Sequence, residues 1–164
     1  MILNILSYPD PKLREISEPV VELTVEHKTL ISDMKATMRA CGNAIGLSAI
    51  QVGHPLRIII IDKGGGNLVE YVNPEIKEAS GKFSVQEGCL SLDGINDGIL
   101  RHKDIIFTHH LFKNGTFTVK QESASDLMAV VVQHEIDHLN GILMYDHMSS
   151  VLQKKVDKIF KVKK

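Results

Sequence analysis

A chain of 164 residues with 43% hydrophobic content can bury a real core and falls within the size range of one domain. Its net charge of -1 at pH 7 excludes the molecule-wide positive field of a general nucleic-acid binder, so DNA is not an expected partner. No apolar run approaches the roughly 18 residues that span a bilayer, and Met1 to Tyr8 lacks the basic start and cleavage site of a secretory signal, so a soluble, cytoplasmic protein is expected.

Tyr8-Pro9-Asp10-Pro11 through Glu18-Pro19 carries prolines that forbid regular helix and predict an extended segment laid over the body. From Val25 to Cys41, Leu30, Ile31, Met34 and Met38 recur at helical spacing, with Gly42 as the stop. Runs rich in β-branched residues then predict mostly antiparallel strands over Arg57 to Asp62, Leu68 to Asn73, Phe83 to Gln86, Asp104 to Phe112 and Thr116 to Gln121. Gly64-Gly65-Gly66, Ser80-Gly81 and Asn114-Gly115 mark the turns between them, the last a hairpin signal. A second helix is predicted from Ser125 to Asn140, capped by Ser123 or Ser125 and closed by Gly141. Leu127 to Val132 is apolar without a break, which marks that helix as central and buried. A third, basic amphipathic helix is predicted from Ser149 to Val162. Strands followed by helices define an α+β fold: antiparallel sheets packed around the central helix, with further helices towards either end. No repeat or linker interrupts the chain, so residues 1–164 read as a single catalytic domain.

The chemistry is concentrated in His134-Glu135-Ile136-Asp137-His138. Histidines four apart stand about 6 Å apart along one helix face, so both imidazoles reach one metal ion. Glu135 is offset around the helix and is free to serve as general base. Three protein ligands plus an open position is the usual catalytic arrangement, so a third donor is required. Metzincin proteases continue to a glycine and a third histidine; Gly141 is present, but Met144 stands where the histidine belongs. No glutamate follows Glu135, which disfavours the thermolysin arrangement. Asp146, His147 and Asp157 remain as downstream candidates. Upstream, Cys89 in Glu87-Gly88-Cys89-Leu90-Ser91 is the preferred third ligand, because the glycine before it leaves room for the thiolate to approach the helix. Cys41 is the only other cysteine, and in a reducing compartment such a pair is more often a ligand, a nucleophile or plain core than a disulfide.

Three ordered blocks, Ile45-Gly46-Leu47-Ser48-Ala49-Ile50-Gln51, Glu87 to Ser91, and Gln133 to Leu139, resemble those of peptide deformylases, and the resemblance extends over nearly the whole chain. The last two blocks match unchanged. The first departs, with Ala44 for a glycine, Ser48 for an alanine and Ile50 for a proline, and Leu92-Asp93-Gly94 lacks a usual proline; these changes bear on substrate and inhibitor binding. The resemblance implies a hydrolase that removes the N-formyl group from N-terminal formylmethionine of new polypeptides and releases formate. It implies that Cys89, His134 and His138 bind the ion, that Glu135 is acid and base, and that Gln51 and the Leu90 backbone N–H cradle the oxyanion. It further implies that substrate lies as an added strand along Ile45, Gly46 and Leu47. The methionine side chain would enter a pocket drawn from Val85, Leu127, Val130 and Val131 beside Glu87, with Glu87–Arg101 and Asp137 in support.

The resemblance also implies one divalent ion per chain, natively iron(II), with zinc, nickel or cobalt as alternatives compatible with one thiolate and two imidazoles. The basic C-terminal helix, with Lys154, Lys155, Lys158, Lys161, Lys163 and Lys164 around the Leu152, Val156 and Phe160 stripe, offers a contact with the ribosome. Removal of a transit peptide would place such a chain in an organelle instead. Two other functions compete: an endopeptidase built on the same helix motif, and a metal-binding module without catalysis.

Overall fold

The computed structural model describes residues 1–113 and 115–162. Asn114 of the Asn114-Gly115 hairpin signal, together with Lys163 and Lys164, lies outside the described residues. Thr24 opens the first helix, α1 (Val25–Cys41). Its Oγ1 accepts from the His27 N–H at 3.3 Å, and the Thr24 N–H donates to the His27 ring at 3.3 Å, so two amides that a helix start leaves unpaired are satisfied. Gly42 ends the helix in the left-handed region at φ 73°, which a side chain would resist. Both boundaries are those read from the sequence.

Five strands form one antiparallel sheet in the order β1 (Gly46–Ser48), β2 (Ile58–Asp62), β3 (Leu68–Ser80), β6 (Asp104–Lys113) and β7 (Thr116–Ser125). β4 (Phe83–Gly88) and β5 (Asn96–Arg101) make a separate two-stranded ribbon. The run Ile58 to Ile61 explains how the layers stack. All four side chains have 0% exposure, and since side chains alternate along a strand, two point to each face. Ile58 and Ile60 meet Leu30, Met34 and Met38 of α1, whereas Ile59 and Ile61 meet Val132, Ile136 and Leu139 of α2 (Asp126–Leu139). Each isoleucine so buried contributes about 1.5–3 kcal/mol over exposure. The sheet is therefore covered on both faces, and α2 is the central helix that the sequence predicts.

A third cluster, Leu92, Ile99, Met144, Met148 and Val156, holds α3 (Ser150–Ile159) against β5. Ser149 caps α3 by accepting from the Leu152 N–H at 3.3 Å. The helix stops at Ile159, short of the predicted Val162. At the start of α2, Ser125 occupies the cap position without a side-chain cap bond, and Ser123 belongs to β7. The Asp126 N–H donates instead to the Lys103 carbonyl at 2.8 Å.

The N-terminal segment lies across this body with one short 3-10 turn, Pro11–Arg14. The Leu6 N–H donates to Gln51 O, Tyr8 N–H to Ser91 O and Ser17 N–H to Leu139 O, at 2.8, 2.8 and 2.9 Å. One strap thus touches all three sequence blocks.

Candidate metal centre and active site

His134 and His138 lie one turn apart on α2 with ring centroids 5.0 Å apart. Cys89 follows the end of β4 in extended conformation, at the entry to a 3-10 turn over Leu90–Leu92. Gly88 precedes it, where a Cβ would meet Oδ1 of the exposed Asn96 side chain at 2.8 Å. The sulfur of Cys89 stands 3.3 Å from His138 Nε2, and the donor atoms of Cys89, His134 and His138 all lie within 4.8 Å of one another. A tetrahedral ion spaces sulfur and nitrogen ligands roughly 3.5 Å apart, so this trio fits a single metal ion. Among the described residues no other group of three such side chains converges in this way; Asp146, His147 and Asp157 are not part of it.

Around the trio the polar groups are pinned. His134 Nδ1 lies 2.8 Å from Glu87 Oε2, which leaves the other ring nitrogen for an ion. Arg101 Nε and Nη2 donate to the same carboxylate at 2.6 and 3.0 Å. Burial alone would raise Glu87, but His134 and Arg101 overrule it and hold the group at about 2, so it is a carboxylate at neutral pH. Burial depresses His134 as well, yet hydrogen bonds to Cys89 and Glu87 hold it well above the usual imidazole range. His138, 1% exposed, is pushed well below that range by burial and by the neighbouring His134 charge. A neutral imidazole is the form that binds metal, so His138 is ready as a ligand and His134 gives up its Nε2 proton when an ion takes the place between the donors.

Glu135 is 4% exposed, and burial pushes it up to about 7. Its Oε2 has no hydrogen-bond partner among the described residues. Such a carboxylate is matched to taking up and returning a proton near neutral pH. Gln51 is held by its oxygen: the Ser48 N–H and Oγ–H both donate to Oε1 at 2.9 Å. Its amide nitrogen therefore faces Ser91 Oγ at 3.2 Å and Cys89 Sγ at 3.7 Å. Ser48, which the sequence marks only as a departure within the first block, thus orients Gln51, and Ser91 receives its amide; nothing but adjacency to Gln51 and Cys89 hints at either role.

A cavity of about 440 Å³ opens over this centre. Ile45, Gly46, Gln51, Glu87, Cys89, Leu90, Leu127, Val130, Val131, His134 and Glu135 line it. Two expected pocket residues do not. Leu47 has 0% exposure and packs in the core against α1, and Val85, which shares the face of β4 with Glu87 two residues on, lies beyond the lining. Asn43, Ala44, Gln86 and the Asp93–Asn96 rim line the cavity and were not anticipated as its walls.

A buried HExxH helix, a distant cysteine brought to it by a β-ribbon and a buried carboxylate with one oxygen unpartnered among the described residues define a metal-dependent hydrolase of α+β fold. Residues 2–154 match the family described as Polypeptide deformylase, and the chain belongs to that family. It is 40% identical over 158 residues to a peptide deformylase of Alkalilimnicola ehrlichii, covering 94% of this chain and 86% of that one. A peptide deformylase of Helicobacter pylori is 38% identical over 167 residues, covering 98% and 94%. Among solved structures, the peptide deformylase of Legionella pneumophila superposes with a TM-score of 0.85 at 34% identity over 99% of this chain and 97% of its own. Peptide deformylases are metal-dependent hydrolases that remove the N-formyl group of nascent polypeptides, and family membership decides against the endopeptidase and the non-catalytic module.

Proposed function

We propose that residues 1–164 work as one catalytic domain in which Cys89, His134 and His138 hold the ion, Glu135 moves the proton, and Gln51 with the Leu90 N–H stabilises the oxyanion. The observation that carries this reading is the convergence of those three donors beside a cavity lined by Cys89, His134 and Glu135, the last buried with its Oε2 unpartnered among the described residues. When bound, a divalent ion supplies Lewis acidity that makes water a nucleophile at neutral pH. Glu135 accepts the proton released as water attacks the formyl carbon, then delivers it to the departing amine. As negative charge grows on the formyl oxygen, the Gln51 amide, its oxygen anchored by Ser48, donates to it by releasing one of its contacts to Cys89 Sγ or Ser91 Oγ. The products are formate and a free N-terminus.

The polypeptide lies as an added strand on the open side of β1. Ile45 O accepts from the Asp62 N–H at 2.8 Å, so Ile45 and Leu47 turn their amides towards β2 and Gly46 turns its own outward. Leu127, Val130 and Val131 receive the methionine side chain, while Glu87 and Arg101 support His134. The native ion is iron(II), with zinc, nickel or cobalt able to replace it on the same donors. No helix among the described residues is long and apolar enough to cross a membrane. We place the protein in the cytoplasm, or in an organelle stroma or matrix if a transit peptide has been removed. The exposed Lys154, Lys155, Lys158 and Lys161 contact ribosomal RNA.

The test is anaerobic purification, metal analysis and measured formate release from a formyl-Met tripeptide. About one ion per chain and formate release are expected; cleavage of an internal peptide bond with no formate would overturn the assignment.

A further inference from the structure

Asp137, one turn on from His134, accepts at a single oxygen, Oδ2, from Arg101 Nη1 at 2.5 Å and from His147 Nε2 at 2.8 Å. Arg101 in turn holds both oxygens of Glu87, and Glu87 holds His134. Four links therefore run without a break from a histidine whose side chain is 33% exposed to a ring of the metal trio. The interior of that chain is dry: the Arg101 and Glu87 side chains are each 4% exposed. Asp137, at 20%, is where water begins to compete for the carboxylate.

We propose that His147 is a positioning residue for the metal centre, acting through Asp137, Arg101 and Glu87 on His134; this rests on the metal-binding role assigned above. A bidentate carboxylate sets the plane of a buried guanidinium, and a second acceptor on its remaining nitrogen keeps it from sliding off that carboxylate. Glu87 holds one end. Asp137 holds the other, and His147 replaces mobile water with a fixed donor on Asp137, so the carboxylate cannot rotate away. The turn that carries His147 does not depend on this bond for its own folding. Arg14 pairs with Asp146 on that turn, and the Leu143 N–H donates to Asp146 Oδ2 at 2.8 Å. Nor does His147 make another side-chain hydrogen bond among the described residues.

Loss of the partners that orient a ligand lowers metal affinity by about 10–100-fold, and a residue further out on the chain should act at or below the lower end of that range. The experiment uses full-length protein loaded with zinc and follows zinc loss to excess chelator. His147→Ala should lose zinc about three- to ten-fold faster, while His147→Gln, which keeps an amide donor at similar reach, should stay near the unsubstituted rate. The double variant His147→Ala, Asp137→Asn should lose zinc no faster than Asp137→Asn alone, because both act on one path. Glu87→Gln is the reference for the inner link and should accelerate loss at least as much as His147→Ala. Unchanged loss in His147→Ala beside fast loss in Glu87→Gln overturns the proposal, as do equal rates for His147→Ala and His147→Gln. Unaltered zinc binding in both Glu87→Gln and Cys89→Ala would instead overturn the metal assignment on which the proposal stands.

Discussion

A Cβ placed on Gly46 would lie 2.3 Å from Oε1 of Glu135 and within 2.9 Å of its Cδ and Cγ. The glycine of the first sequence block is thus in contact with the carboxylate of the third, and the contact leaves no room for a methyl group. Gly46→Ala must displace either β1 or the carboxylate. Overpacking of this kind costs about 1–3 kcal/mol, and expressed in the transition state it lowers kcat/KM for formyl-Met peptide by roughly 5- to 150-fold. A Gly46→Ala protein that retains full kcat/KM would contradict the contact.

Glu135→Ala removes the proton carrier but none of the three donors. Metal content should stay near that of the parent while formate release falls by about 10²–10⁴-fold, the range for a positioned acid–base group. Metal analysis and initial rates on the same preparation check both halves.

Cys89→Ser replaces the thiolate with a hydroxyl that binds iron(II) or zinc weakly. The variant should emerge from purification with most of its metal gone and formate release lost. Its far-UV circular dichroism should match the parent, since the hydrophobic clusters are formed without the sulfur as a metal ligand.

Glu122, on β7, accepts from Tyr71 Oη, Lys63 Nζ, Lys120 Nζ and His109 Nε2. Burial would raise it, but Lys120, Lys63 and His109 outweigh burial and hold it at about 2, below the ordinary 4.5. The folded state therefore binds this proton less readily than the unfolded chain. The stability contributed is present in full above pH 4.5 and lost as pH falls from there towards 2. Glu122→Gln should lower Tm at pH 7 and narrow its gap to the parent by pH 3. A gap of the same size at both values would contradict the shift.

Lys154, Lys155 and Lys158 are exposed on α3, while Val156 beneath them has 0% exposure. Reversing the three charges with glutamates leaves the buried stripe in place. Co-sedimentation with ribosomes should weaken and its salt dependence flatten, with kcat/KM on a free tripeptide unchanged. Sedimentation equal to the parent at every salt concentration would reject the ribosome contact.

Local signals made some of this readable and long-range pairing hid the rest. The extent of α1 follows from the spacing of its apolar residues and from Gly42, and α2 from an apolar run that leads into histidines four apart and stops near Gly141. β5 was not seen because Asn96-Asp97-Gly98 looks like a turn; it becomes a strand only by pairing with β4, Asn96 opposite Gly88 and Arg101 opposite Phe83. β3 continues past Pro74 because a register shift between Val72 and Glu75 absorbs a residue that cannot donate. The His134–His138 spacing announced itself within one helix. That Glu87 would close on His134, that Ser48 would turn the Gln51 amide, and that Leu47 would face the core depend on which strand lies beside which, information that short-range periodicity does not contain.

β1 is only three residues long and gives way at once to a 3-10 turn over Ala49–Val52. A bare sheet border normally invites another chain to zip onto it and precipitate. Here the vacant border is too brief to hold a stranger by amide pairing alone, so a lasting grip requires a side chain seated in the neighbouring hollow. If substrate docks there as proposed, brevity lets the molecule keep that ledge permanently open to every newly made chain without becoming sticky to its own kind.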